Sequence, residues 1–115
     1  MSFFVSGQPL TKWYRMSGNT EEVVFTAQKR TTILSMRFKH SNTSGTPTLT
    51  ILRDDGANDF YFRNAEAISA AKETVVFDEV FALNAGDSIK ATSGAVGGDF
   101  HVRLVYLAPD ALASR

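Results

Sequence analysis

Cysteine is absent from all 115 residues. Disulfides, thiolate nucleophiles and cysteine-ligated zinc are thereby excluded. Histidine is nearly as scarce: His40 and His101 are the only two. Neither has a visible orienting partner for nucleophilic or general-base chemistry, and two imidazoles fall short of a zinc ligand set. No run approaches the ~18 apolar residues of a membrane helix, so no membrane partner is expected. The opening MSFFVSGQPL lacks a basic region and a long apolar run, and it is not expected to be a signal peptide. An excess of either charge is also missing, with 12 basic and 12 acidic residues. Nonspecific nucleic-acid binding needs a basic surplus, so no nucleic-acid partner is expected. Gly94, Gly97 and Gly98 are followed by no Gly-Lys-Ser/Thr and no helix pattern, which excludes a phosphate loop.

What the chain does have is a β vocabulary. The apolar fraction is 43%, enough for a core, and nine Phe, three Tyr and one Trp suit a pleated interior. Thr31 to Arg53 is the clearest stretch. Leu34, Met36 and Phe38 alternate with Ser35, Arg37 and Lys39, and Leu49 and Ile51 alternate with Thr48 and Thr50. Two period-2 runs around the polar SNTSGTP predict a half-buried antiparallel hairpin. Further strands are predicted at Leu10–Met16, Glu21–Ala27, Phe60–Phe62, Glu73–Phe77, Glu79–Leu83, Ser88–Thr92 and Phe100–Leu107. The last run puts Phe100, Val102, Leu104 and Tyr106 on one face. Asp55-Gly56 and Asn84-Ala85-Gly86-Asp87 are tight turns, where Gly86 supplies a positive φ and Asp87 bonds its own following backbone. Asn64 to Lys72 is read as a loop with at most one short helical turn.

Eight or nine short strands without a convincing helix predict an all-β, single-domain antiparallel β-sandwich, jelly-roll-like. Residues 10–107 form the sandwich, 1–9 an N-terminal arm and 108–115 a C-terminal tail. Phe3, Phe4 and Val5 give the arm an apolar patch, which either joins its own sheet or docks on a neighbour.

Sites of chemistry are harder to find. Asp54, Asp55, Asn58 and Asp59 offer hard oxygens for calcium, but their spacing misses the calcium-loop pattern, and a solvated turn is the plainer reading. Glu21–Glu22 and Asp78–Glu79 are adjacent pairs in strands, so each pair splits between faces and cannot flank one glycosidic bond. No enzyme and no cofactor is expected. Trp13 and Tyr61 could stack on a sugar or anchor a protein contact, since one or two of the paired aromatics must face outward. The charge is divided along the chain: residues 1–53 carry a surplus of five positive charges and residues 54–115 a surplus of five negative ones. The division either cancels where the halves interleave or gives a polar subunit that meets its neighbour's opposite face.

The order of these features resembles the small all-β structural proteins of tailed bacteriophages and prophages. The resemblance spans about residues 22–107. It lies in Thr31-Thr32-Ile33 and Asn42-Thr43-Ser44-Gly45, then in Leu83-Asn84-Ala85-Gly86-Asp87-Ser88-Ile89. It implies a virion component made in the host cytoplasm: a capsid decoration or cement protein, a head-spike base, or a neck or tail accessory module. It brings no catalytic residues. It implies a homo-oligomer, with a trimer favoured, whose partners are capsid or tail proteins. Abundant Thr and Ser, 21 of 115 residues, suit wet sheet-face contacts. The residues expected at interfaces are Phe3, Phe4, Val5, Trp13, Arg37 and Lys39. The competing reading is a carbohydrate-binding or host-recognition module of a tail fibre; a secreted lectin-like domain is a weaker third.

Overall fold

The computed structural model describes residues 8–16, 20–40, 48–68, 74–77, 79–94 and 100–108. Nine strands run through them: β1 (Leu10–Met16), β2 (Glu22–Thr26), β3 (Thr31–His40), β4 (Thr48–Asp54), β5 (Asp59–Ala67), β6 (Thr74–Phe77), β7 (Phe81–Leu83), β8 (Ser88–Gly94) and β9 (Phe100–Leu107). There is no helix among the described residues.

The strands form two antiparallel sheets. One has the order β1-β9-β3-β6, with β7 also paired to β3, and the other has the order β2-β8-β4-β5. β6 lies beside Met36–Lys39 of β3 and β7 beside Thr31–Ile33. They are two pieces of one strand position, the first ending at Phe77 and the second beginning at Phe81. Counting them together leaves eight positions in two four-stranded sheets. Every connection except β4 to β5 and β6 to β7 carries the chain between sheets, the interleaving of a jelly-roll-like sandwich.

That crossing corrects one expectation. β3 and β4 do not form a hairpin: β3 pairs with β9, β6 and β7, whereas β4 pairs with β8 and β5. Both runs bury one face, as their alternation requires, but each faces the other across the core instead of sharing hydrogen bonds. Period 2 reports which face is apolar and carries no information about the partner strand. Met36 and Phe38 are fully buried, but Leu34 is only partly so. The register of β3 against β9 shifts between Ile33 and Ser35. The irregularity moves Leu34 out of the expected row and puts Ile33 into the core instead.

The interior is apolar from both sheets. Met16, Ile33, Met36, Phe38, Phe100, Val102 and Leu104 come from the first, and Val24, Leu49, Ile51, Ile89 and Ala91 from the second. Each large buried side chain contributes roughly 1.5–3 kcal/mol of transfer free energy. At one edge, Phe62 of β5 packs on Phe77 and Phe81 with ring centroids 5.9 and 5.0 Å away, tying the two sheets together. The Arg63 guanidinium stacks over the Phe77 ring at 4.9 Å.

β5 is longer than the aromatic triplet suggests. It continues through Asn64–Ala67, where a loop or helical turn was expected. Register shifts against β4 and a positive φ of 52° at Ala65 mark a bulged edge. The Ala65 N–H donates to Thr50 Oγ1 at 2.9 Å, holding the segment to the sheet. Pairing of this kind outweighs the weak helix preference of a few alanines. Gly56 and Gly86 take φ of 95° and 93°, as their turns require.

Candidate functional site

The outward faces of the two sheets differ in chemistry, and the cause is strand parity. On β9, Phe100, Val102 and Leu104 are buried, so His101 and Arg103 point outward. Their register partners share that face. Trp13 on β1 pairs with Arg103, which pairs with Arg37 on β3. One row along, Arg15 pairs with His101, which pairs with Lys39. Paired residues lie about 5 Å apart across strands and successive rows about 7 Å apart. Four permanent cations and one imidazole therefore occupy a patch two rows deep and three strands wide. Trp13 stands 68% exposed at its edge, and the Arg103 guanidinium sits 5.9 Å from its ring centroid. A shallow depression beside it is walled by Tyr14, Arg15, His101 and Val102. Tyr14, one residue on, turns inward and donates from its hydroxyl to Glu22 Oε1 at 2.8 Å. That carboxylate, together with partial burial, raises the Tyr14 pKa above its usual value.

The outer face of the second sheet is built around Lys90. Ile89 and Ala91 are buried, so Lys90 faces out, opposite Val23 on β2 and Leu52 on β4. Tyr61 on β5 pairs with Leu52 and extends the row. The result is an apolar strip in which Val23 and Tyr61 are 47% and 53% exposed and Leu52 is covered. Carboxylates flank it. Lys90 Nζ lies 2.7 Å from Asp54 Oδ2 and 3.8 Å from Glu21 Oε1, and Asp59 adds to the negative potential at the ammonium. The Asp54 hydrogen bond holds Lys90 above the usual lysine range and, with the Gly56 N–H, holds Asp54 below the usual carboxylate range. Three carboxylates around one ammonium leave a surplus of two negative charges.

The expected aromatic split is found in part: Trp13 and Tyr61 are outward while Tyr14 and Phe62 pack toward the core, but three of the five are exposed instead of one or two, because Phe60 does not alternate with Tyr61. Phe60 is also half exposed, with the Arg53 guanidinium 5.5 Å from its ring. Trp13 and Tyr61 lie on opposite sheets and form no common platform. Arg37 and Lys39 are exposed, as expected. Phe3, Phe4 and Val5 lie outside the described residues.

The acidic β4–β5 turn is a self-capped loop. Asp54 Oδ1 accepts the Gly56 N–H, and Asp55 Oδ1 accepts those of Ala57 and Asn58 at 2.9 and 2.7 Å. The Asn58 and Ala57 bonds lower the Asp55 pKa. No group of three or more potential metal ligands occurs among the described residues.

Two features were not visible in the sequence. Asp87 does not bond its following backbone. Its Oδ2 accepts Asn84 N at 2.8 Å, Arg53 Nη2 at 2.8 Å and Arg53 Nε at 3.2 Å, and the side chain is 6% exposed. His40, the last residue of β3, is fully buried against the Phe100 ring at 5.3 Å, and neither of its nitrogens has a hydrogen-bond partner among the described residues. A cleft of about 230 Å³ between the sheets is lined by Leu10, Phe25, Tyr106, Ala108 and Lys29, among others, and holds no carboxylate.

No protein-family model matches the chain, and no curated protein matches it by sequence. Its fold does match solved structures. Two crystal structures of a pentameric capsid protein isolated from metagenomic phage sequences, one of them solved by iodide phasing, each superpose with a TM-score of 0.56 at 17% identity. The match covers 90% of this chain, and the chain spans 64% of the length of that protein. What the two share is the fold.

Proposed function

We propose that the chain is a non-enzymatic structural subunit of a phage virion, acting through contacts with copies of itself and with capsid proteins. The observation that supports this most directly is the fold likeness, over 90% of the chain, to a pentameric phage capsid protein. The two outer sheet faces support it independently. Each carries exposed aromatic or apolar residues set among charges, which suits contact surfaces. Fold likeness is an analogy and not a site argument, so the assembly is what must be tested. The proposed assembly is a closed ring that stabilises a shell, either as a shell subunit or as a decorating one. Its expected copy number is five, after the neighbour, in place of the three favoured from the sequence. The carbohydrate-binding alternative gains nothing from placing Trp13 and Tyr61 on opposite sheets.

Light scattering coupled to size exclusion, with negative-stain electron microscopy, tests the reading. Rings of five copies are expected. A trimer keeps the structural role and replaces the symmetry. A monomer of 12.6 kDa at every accessible concentration overturns the reading.

A further inference from the structure

We infer that the apolar arm residues Phe3, Phe4 and Val5 fold back into the cleft at the start of β1 and close the core of their own chain there. The inference goes beyond the virion reading and does not depend on it.

The cleft marks a place where the core lacks cover. Met16 is fully buried, so the inward parity on β1 belongs to Leu10, Lys12, Tyr14 and Met16. Cover along that row falls away toward the start of the strand. Tyr14 is half-buried, Lys12 is exposed and Leu10 is 47% exposed. An apolar residue on the core side of a sheet yet half in water means that the opposite layer stops short. The gap is the cleft of about 230 Å³. Its wall is made by Leu10, by Tyr106, the register partner of Leu10 on β9, and by Phe25 of β2. The Phe25 and Tyr106 rings meet with centroids 4.9 Å apart, so the wall is continuous and mostly apolar.

Elimination names the occupant. The stretches outside the described residues are 1–7, 17–19, 41–47, 69–73, 78, 95–99 and 109–115. Phe3, Phe4 and Val5 are the only run of large apolar side chains in them. Residues 95–99 and 109–115 offer one each, Val96 and Leu112. The arm is also attached at the right place, because Leu10 itself lines the cleft. Phe3 lies seven residues before Leu10, at most about 23 Å of extended chain. Ser6-Gly7 is a turn pair, and a two-residue reversal there sets Phe3 opposite Leu10. A tether this short gives the arm an effective concentration on the order of millimolar at its own cleft, which favours it over the arm of another copy. Seated, the arm supplies the missing layer and withdraws Leu10, Phe25 and Tyr106 from water.

The chain has no native cysteine, so disulfide trapping reads the contact cleanly. Ser2→Cys with Gln28→Cys puts one thiol on the arm and one at the cleft wall, and leaves every apolar residue in place. After mild oxidation, a bridge within the chain is expected, seen as a faster monomer band on a non-reducing denaturing gel. Adding Phe3→Ser and Phe4→Ser should slow bridging roughly ten-fold or more, because a tethered but undocked thiol meets its partner only by chance. Without the cysteines, Phe3→Ser with Phe4→Ser should lower the melting temperature by roughly 5 °C or more and raise binding of an apolar dye. Leu112→Ser in the tail should do neither. Bridging at an equal rate with and without the phenylalanines, or an unchanged melting temperature, overturns the inference. Bands of two or more linked chains would give the cleft to the arm of another copy, and a loss confined to Leu112→Ser would give it to the tail; either overturns it as well. None of these outcomes alters the oligomeric reading, which is decided by particle mass.

Discussion

The β4–β5 turn and the β7–β8 turn are written in the same residues, yet they do different work. Each combines Asp or Asn with a glycine at positive φ, Gly56 at 95° and Gly86 at 93°. In the β4–β5 turn the Asp55 carboxylate is exposed and spends its oxygen on its own backbone, Ala57 and Asn58. In the β7–β8 turn the Asp87 carboxylate is buried and reaches 34 residues back to Arg53 of β4. The main chain around it is held too: Gly86 N donates to Ala27 O at 2.8 Å and Ala27 N donates to Asp87 O at 2.9 Å. One turn only reverses the chain. The other joins β2, β4 and β8 at one end of the second sheet. A local turn signal therefore does not tell how much of the fold depends on the turn.

The comparison can be broken most directly at the two aspartates. Asp87→Ala leaves the Asn84 N–H and the largely covered Arg53 guanidinium without their acceptor. A loss of about 3 kcal/mol is expected from unpaired buried groups of this kind, read from urea midpoints. Asp55→Ala should cost clearly less, because water replaces a carboxylate at an exposed backbone. Equal losses at the two sites would mean that both turns are merely local.

The glycines sharpen the same comparison from the other side. A methyl group added at either position meets nothing within 4 Å, so only the positive φ opposes it. Gly56→Ala and Gly86→Ala should each cost about 1–2 kcal/mol and should agree with one another, since backbone strain is local. A much larger cost at Gly86 would show that the tertiary tie also depends on its geometry.

The smallest effect is in acid. Asp54 and Asp55 both have carboxyl pKa values depressed below 3.8 in the folded chain. The unfolded chain therefore binds more protons in that range, and stability rises with pH through it. The contribution is full above pH 3.8 and is lost as the pH falls through the depressed values. Asp55→Asn should make the acid-unfolding profile shallower in that window, because it lowers stability above the window and leaves stability below it little changed. An unchanged acid limb would remove the role given to these backbone bonds.

Much of this molecule was legible in its residues, strand by strand. The alternation of Phe100, Val102, Leu104 and Tyr106 gave the inward face of β9, and the run predicted over Glu21–Ala27 is β2 to within a residue at each end. The outward placing of Arg37 and Lys39 followed from the same period. The misses share one cause, which is pairing. β3 and β4 alternate correctly but belong to different sheets, Leu34 is displaced by a register shift, and Asn64–Ala67 is drawn into an edge strand. The basic patch escaped notice because Trp13, Arg103 and Arg37 come from three distant strands and meet only through register.

The sequence by itself determined that this is an all-β chain without thiol or zinc-finger chemistry, where its strands run and which face of each is buried. Those properties depend on side-chain type and a period of two, both local. Only the tertiary structure decided which strands are neighbours. Hydrogen-bonded ladders are indifferent to side-chain identity, and the choice among them is made by the packing of the whole core. With that choice came everything here that bears on function: Asp87 set against Arg53, four cations gathered on one sheet, and carboxylates around Lys90 on the other.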